Sequence, residues 1–270
     1  PFKLILNIEN LGEANVISDN LIIGIGGISA ADFELTNNDI LSDKARKINE
    51  NVILGKLKDP DGDIIPGTLT HVTIPENEEF EARRISGNTP FTFQANACYP
   101  YHTRGNTKLC ILRNIVNDGP DNICDATGGK TIHSSGSPIQ FSNFRQAVVG
   151  KNEGGLDVIR FSFDVIHSGS GNVYSPELTV SSENGPCPRN DQSDRLNYED
   201  VVRVYVNQGG LNSAQTIGGD ILNTLNCGFE GGANFGYVRL INGRRSVSCT
   251  MELNSGRVND FESLLEVYAD

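Results

Sequence analysis

From Phe2 to Glu9 the chain alternates. Phe2, Leu4, Leu6 and Ile8 share one face, with Lys3, Asn7 and Glu9 on the other. A period of two over this length predicts a half-buried strand. After a turn at residues 10–14, apolar runs at 15–17 and 21–25 predict two more strands. Residues 28–33, ISAADF, predict one helical turn, and residues 42–48 another, capped by Ser42 or Asp43. Alternation returns at 69–74 and 91–95, on either side of an acidic loop at 75–79.

The second half has the same grammar. Residues 114–137 are rich in turn formers. In 158–165, Ile159, Phe161, Phe163 and Val165 point one way, while Val158, Arg160, Ser162 and Asp164 point the other. That is the pattern of an antiparallel strand with one wet face. Residues 201–206 repeat it, with Val202, Val204 and Val206 inward. Asn242-Gly243 lies between two apolar runs, and Asn-Gly is the strongest two-residue hairpin signal. A hairpin there pairs 237–241 with 244–253, sets Val238 opposite Val247, and places Cys249 inward, opposite Gly236. A neighbouring strand carrying Cys227 then reaches Cys249. Residues 261–269 alternate again and predict a closing strand.

Many short strands separated by Gly, Pro and Asn turns predict an all-β protein. With 270 residues, the expectation is two or three Ig-like antiparallel β-sandwich domains with disulfides. The expected division is an N-terminal Ig-like β-sandwich at 1–94, a cysteine-containing β domain at 95–207, and a C-terminal hairpin region at 208–270. The last can equally belong to the second sandwich.

The six cysteines refine this picture. Structural zinc sites usually carry a close Cys pair, but eleven residues separate Cys98 from Cys110 and thirteen separate Cys110 from Cys124. An even count without close pairs predicts disulfides, for which six cysteines allow fifteen pairings. Proximity and strand register favour Cys110–Cys124, Cys98–Cys187 and Cys227–Cys249. Disulfides persist in oxidising compartments, so the expected location is extracellular or at the cell surface.

A formal charge of −12 and the lack of any Lys/Arg cluster argue against nucleic acid and against an anionic membrane surface. No run of about 20 apolar residues occurs. The chain starts at Pro1 and shows no secretory h-region, which reads as a mature or truncated chain. Membrane attachment is then expected only through a segment outside this chain. No N-x-[ST] sequon is present, so N-glycosylation is not expected.

Candidate chemistry is sparse. Asp59, Asp61 and Asp63 have the first spacings of a calcium loop, but Ile64 stands where an EF-hand needs Gly, and Thr70 where it needs Glu. Pro60-Asp61-Gly62 is also a plain turn signature, and the turn is the expectation. No cofactor is expected, and calcium at these three aspartates is the one metal candidate. His71, His102, His133 and His167 are isolated. Gly129-Lys130-Thr131 lacks the earlier glycine of a P-loop, because Cys124 stands there. Ser134-Ser135-Gly136-Ser137 is not G-x-S-x-G.

The ordered series ACYPYHT, KLCILRN, NICDATG, SGSPIQF, VIRFSFDVIHSGSGNVY and NFGYVRLINGRRSVSCTMEL resembles uncharacterised archaeal cell-surface, disulfide-containing β-sandwich proteins over roughly residues 95–270. The resemblance implies export and sandwich domains, with no catalytic residues to carry over.

The expected function is therefore a non-enzymatic extracellular structural protein, a subunit of a surface filament, sheath or lattice that associates with identical subunits. Phe2, Leu4, Leu6 and Ile8 are the candidate subunit contact, because a terminal strand can complete a neighbour's sheet. Its other fate is pairing inside its own domain. The alternative function is an adhesin or a glycan- or protein-binding module using Tyr99, Tyr101 and Tyr174, since amphipathic rings in loops suit recognition.

Overall fold

The computed structural model describes all residues except 18–19, 37–40, 43–51, 83–89, 114–121, 178–195, 209–221, 231 and 254–258, and the side chains of 41–42, 208 and 222–224. The chain divides into two compact units, Pro1–Tyr101 with Pro176–Arg195, and His102–Ser175 with Leu196–Asp270. The all-β class holds, and the sheets are antiparallel.

The first unit contains β1 (Leu4–Glu9), β2 (Val16–Ile17), β3 (Ile22–Gly26), β4 (Leu41–Ser42), β5 (Val52–Ile53), β6 (Leu57–Lys58), β7 (Ile64–Ile65), β8 (Leu69–Ile74) and β9 (Gln94–Cys98). They form small sheets: β1-β8, β2-β5, β4-β3-β9 and β6-β7. The N-terminal alternation is real: β1 half-buries every second residue and pairs with β8 in its own unit, Leu6 opposite Val72. The predicted turn at 28–33 is a 3-10 helix, Ala30–Phe33, which ends where Glu34 enters the left-handed region at φ 61°. It buries Ala30 and Phe33. Phe33 and Phe80 meet edge to face at 5.4 Å, and Phe2 stacks on Phe80 at 5.1 Å. Aromatic pairs of this kind add about 1 kcal/mol beyond the area they bury.

Three expectations for this unit change. Phe91 and Phe93 are not in a strand but pack against the core from an irregular segment, and the strand begins at Gln94. Ser42 lies in β4 rather than capping a helix, and residues 43–48 lie outside the described residues. The boundary expected near residue 94 falls instead after Tyr101, because β9 pairs with β3 along its whole length, Ile22 opposite Cys98.

The second unit contains β10 (Thr103–Ile111), β11 (Gly128–Gly129), β12 (His133–Ser134), β13 (Ile139–Lys151), β14 (Asp157–His167), β15 (Val201–Gln208), β16 (Leu222–Asn226), β17 (Phe235–Arg239), β18 (Arg244–Leu253) and β19 (Phe261–Ala269). Two five-stranded sheets result, ordered β12-β10-β19-β15-β17 and β11-β13-β14-β18-β16. The inward faces share one core. Leu109, Val204 and Val267 come from the first sheet, and Ile159, Phe161, Phe163 and Cys249 from the second. Full burial of a side chain such as Phe161 or Phe163 is worth about 2 kcal/mol. Gly105 lets the layers approach, since a Cβ there would lie 2.5 Å from the Phe141 ring.

The expected inward residues of 158–165, 201–206 and the C-terminal strand are buried, except Phe261, which is half-buried against the core; Asp164 and Glu266, expected to face water, are buried as well. The hairpin is different. Asn242 and Gly243 have positive φ, 53° and 73°, and Ile241 exchanges backbone hydrogen bonds with Arg244 at 3.0 and 3.2 Å. The strands then part. β17 pairs with β15 in one sheet, and β18 with β14 and β16 in the other. Val238 therefore does not pair with Val247, nor Cys249 with Gly236: Val202 faces Val238, and Phe161 faces Cys249. The turn is an arch between layers, so residues 208–270 are integral to the second unit and supply strands to both of its sheets. Among the described residues neither unit has the seven-strand order of an Ig domain.

Candidate functional site

Cys110 is bonded to Cys124, with Cα atoms 5.7 Å apart. Cys227 is bonded to Cys249, which it meets because Asn226 pairs with Thr250 one position away. Cys98 is also disulfide-bonded, while Cys187 lies outside the described residues. The Cys110–Cys124 bridge lies in a small apolar cluster with Leu112 and Ala126.

The other candidates are scattered. Asp59, Asp61 and Asp63 form the tip of the β6-β7 hairpin. Asp59 Oδ1 accepts from the Asp63 N–H at 2.8 Å, and Gly62, at φ 95°, donates to the Asp59 carbonyl at 3.0 Å. The backbone thus uses Asp59 as a turn acceptor. No group of three potential metal ligands occurs among the described residues. Tyr99 and Tyr101 are neighbours in the first unit, with ring centroids 6.1 Å apart. Burial, then Tyr99 and Glu13, push the Tyr101 phenol up. Tyr174 belongs to the second unit, where its hydroxyl accepts from Asn172 at 3.3 Å. Of the histidines, His102 is paired with Asp270.

The outward faces of the two large sheets carry the most organised polar chemistry. On the first sheet, register places Arg104, Tyr268, Tyr205 and Phe235 in one row across β10, β19, β15 and β17. Arg104 lies over the Tyr268 ring at 5.9 Å, Arg203 over Tyr205 at 5.1 Å, and Tyr205 stacks on Phe235 at 5.8 Å. Every cation in this group is neutralised: Arg104 pairs with Glu266, Lys108 with Glu262 at 2.7 Å, and Arg203 with Asp270 at 2.7 Å. Such a cross-strand ladder stabilises a sheet.

The second sheet is the opposite case. β14 presents Arg160, Ser162 and Asp164 outward, and β18 presents Arg244, Ser246, Ser248 and Thr250 beside them. β13 adds Ser142, Arg145, Ala147 and Val149. A bulge between Ser142 and Arg145, with Asn143 at φ 50°, turns the Asn143 amide toward Asp164. Asp164 is buried to 4% exposure. It accepts hydrogen bonds from Asn143 Nδ2 at 2.8 Å, Arg244 Nη2 and Ser246 Oγ. Burial alone would raise this carboxyl. The three hydrogen bonds and the Arg244 charge outweigh it and hold the group below its ordinary value. Ser142, opposite Asp164, is left with a buried Oγ that has no partner.

Asp164 neutralises Arg244. The guanidinium groups of Arg145 and Arg160 make no ion pair or hydrogen bond among the described residues. Glu252, farther along β18, accepts from Asn152 at 3.0 Å. A face with two uncompensated arginines is therefore embedded in a chain of charge −12. Its residues were visible in sequence only as the wet side of separate strands. Their assembly depends on bulges and partner strands that no local pattern announces. No family model, no curated protein and no solved structure matches this chain.

Proposed function

We propose that this protein is a non-enzymatic extracellular structural subunit that associates with copies of itself in a surface assembly such as a filament, sheath or lattice. The observation that carries this reading is the β6-β7 hairpin. Its Leu57 and Ile65 form one cross-strand pair and Lys58 and Ile64 the next, so apolar side chains stand on both faces. Leu57 is 56% exposed, Ile64 70% and Ile65 50%. A two-stranded ribbon is marginal in water, and exposed apolar surface of this extent marks an interaction site. Leu54, bonded through its backbone to Thr68, and Leu69 extend the exposed apolar surface.

Disulfides support the extracellular location. No helix among the described residues is long and apolar enough to cross a membrane. A binding-module reading is favoured by Tyr99, which is 41% exposed beside Tyr101. Sedimentation across a concentration series, with electron microscopy of the same samples, tests the first reading. Repeating contacts between identical chains support it. A monomer at every concentration, with a saccharide retained near Tyr99, turns the assignment to the second.

A further inference from the structure

Building on the self-assembly reading, we infer that the outward face of β13, β14 and β18 is the acceptor for the β6-β7 hairpin of a second copy of this chain. The face offers unpaired Arg145 and Arg160, together with Ala147 and Val149, the last of which is 54% exposed. Asp164, the carboxylate nearest the centre of this face, is buried and bonded to Asn143, Ser246 and Arg244, so it does not compete for the two free arginines. The hairpin offers the complement. Leu57, Ile64 and Ile65 are exposed, and Asp59, Asp61 and Asp63 crown the tip. Lys58 offsets one of these three charges, leaving the hairpin acidic.

Charge is distributed unequally between the units. The first holds 19 acidic and 10 basic residues, a formal −9, and the second holds 15 and 12, a formal −3, which together give −12. Two copies of an acidic protein repel unless a locally basic surface meets a locally acidic one, and complementary patches set both encounter rate and register. The other large sheet face does not suit this role, because Glu266, Glu262 and Asp270 pair with Arg104, Lys108 and Arg203, and Arg239 is engaged by the carbonyls of Leu196, Asn197 and Glu199. Hairpin and acceptor face are different surfaces, so the contact is heterologous. Repeated, it closes a ring or runs on as a filament.

Charge reversal tests this directly. Arg145→Glu/Arg160→Glu makes the acceptor face acidic. Asp61→Lys/Asp63→Lys makes the hairpin basic while keeping Asp59 for the turn. All four side chains are exposed, and circular dichroism melting of each variant confirms that it folds. Each variant alone should need about tenfold or more higher concentration to assemble than the parent chain. An equimolar mixture should recover assembly, because each chain then supplies the surface its neighbour lacks. Added salt should weaken parental assembly. If the arginine variant assembles like the parent, the acceptor is wrong while self-assembly stands. If both variants fail alone and in mixture, the pairing of these two surfaces is wrong. If the parent never assembles, this inference and the proposed function fall together.

Discussion

Gln146 completes the backbone of Cys110. Its Oε1 accepts from the Cys110 N–H at 2.9 Å, and its Nε2 donates to the Cys110 carbonyl at 2.7 Å. The two residues belong to different sheets: Gln146 lies in β13, and Cys110 in β10. β12 pairs with β10 only at Gly105 and Asn106, so farther along no strand among the described residues covers that edge. The side-chain amide takes the place of a strand.

Gln146→Leu should therefore cost more than its burial suggests. It leaves a buried N–H and a buried carbonyl unpaired, at about 1–3 kcal/mol each. We expect a loss of about 2–4 kcal/mol in urea unfolding of the folded chain, with an unchanged m-value. A midpoint equal to that of the parent would mean that water reaches this edge.

Gly243→Val should destabilise by about 1–2 kcal/mol. At φ 73° a β-branched residue is strained. Space is not the cause, since a Cβ there meets its nearest atom at 3.6 Å. Because the turn feeds both sheets, the melting transition should fall as one event. An unchanged melting temperature would show that the arch tolerates another turn geometry.

Asp164 predicts a limb of acid unfolding. Its carboxyl is held below the ordinary value of 3.8. A depressed folded-state value contributes stability above the unfolded-state value and loses it as pH falls through the folded one. The parent chain should therefore lose stability between about pH 4 and lower values, and Asp164→Asn should flatten that dependence while lowering stability at neutral pH. Parallel acid curves for the two chains would remove Asp164 from this role.

No free cysteine occurs among the described residues. The intact mass of the unreduced protein should lie about six hydrogens below the reduced value, as three bridges require. Thiols that titrate in the unfolded, unreduced chain would contradict it. Cys110→Ser/Cys124→Ser should lower stability by about 3 kcal/mol, the chain-entropy estimate for a loop of this size.

Much of the strand inventory was legible because burial writes itself into alternation: Leu4 to Ile8, Ile159 to Val165 and Val202 to Val206 read directly. Asn242-Gly243 was legible as a turn but misleading about partners. Two residues fix the local reversal, whereas the burial of Val238 and Val247 in one core decides that their strands go to opposite layers. Phe91 and Phe93 alternate like strand residues, yet they serve the aromatic cluster around Phe33 without pairing. The arginine face was illegible for a further reason. Arg145 and Arg160 share a surface only through the bulge at Asn143, and their significance lies in the engagement of Asp164 and Glu252, the carboxylates of that face, by other partners.

The position of β19 carries a consequence for biosynthesis. This strand, Phe261–Ala269, lies between β10 and β15 in the middle of its sheet, yet it follows both of them, and every other described strand of the unit, in sequence. A ribosome therefore releases both flanking strands long before the one that joins them. Until then β10 and β15 have no common neighbour, and Leu109 and Val204 lack the Leu265 and Val267 that close their layer. The second unit therefore cannot close its first sheet until Phe261–Ala269 has emerged, however early its other strands were made.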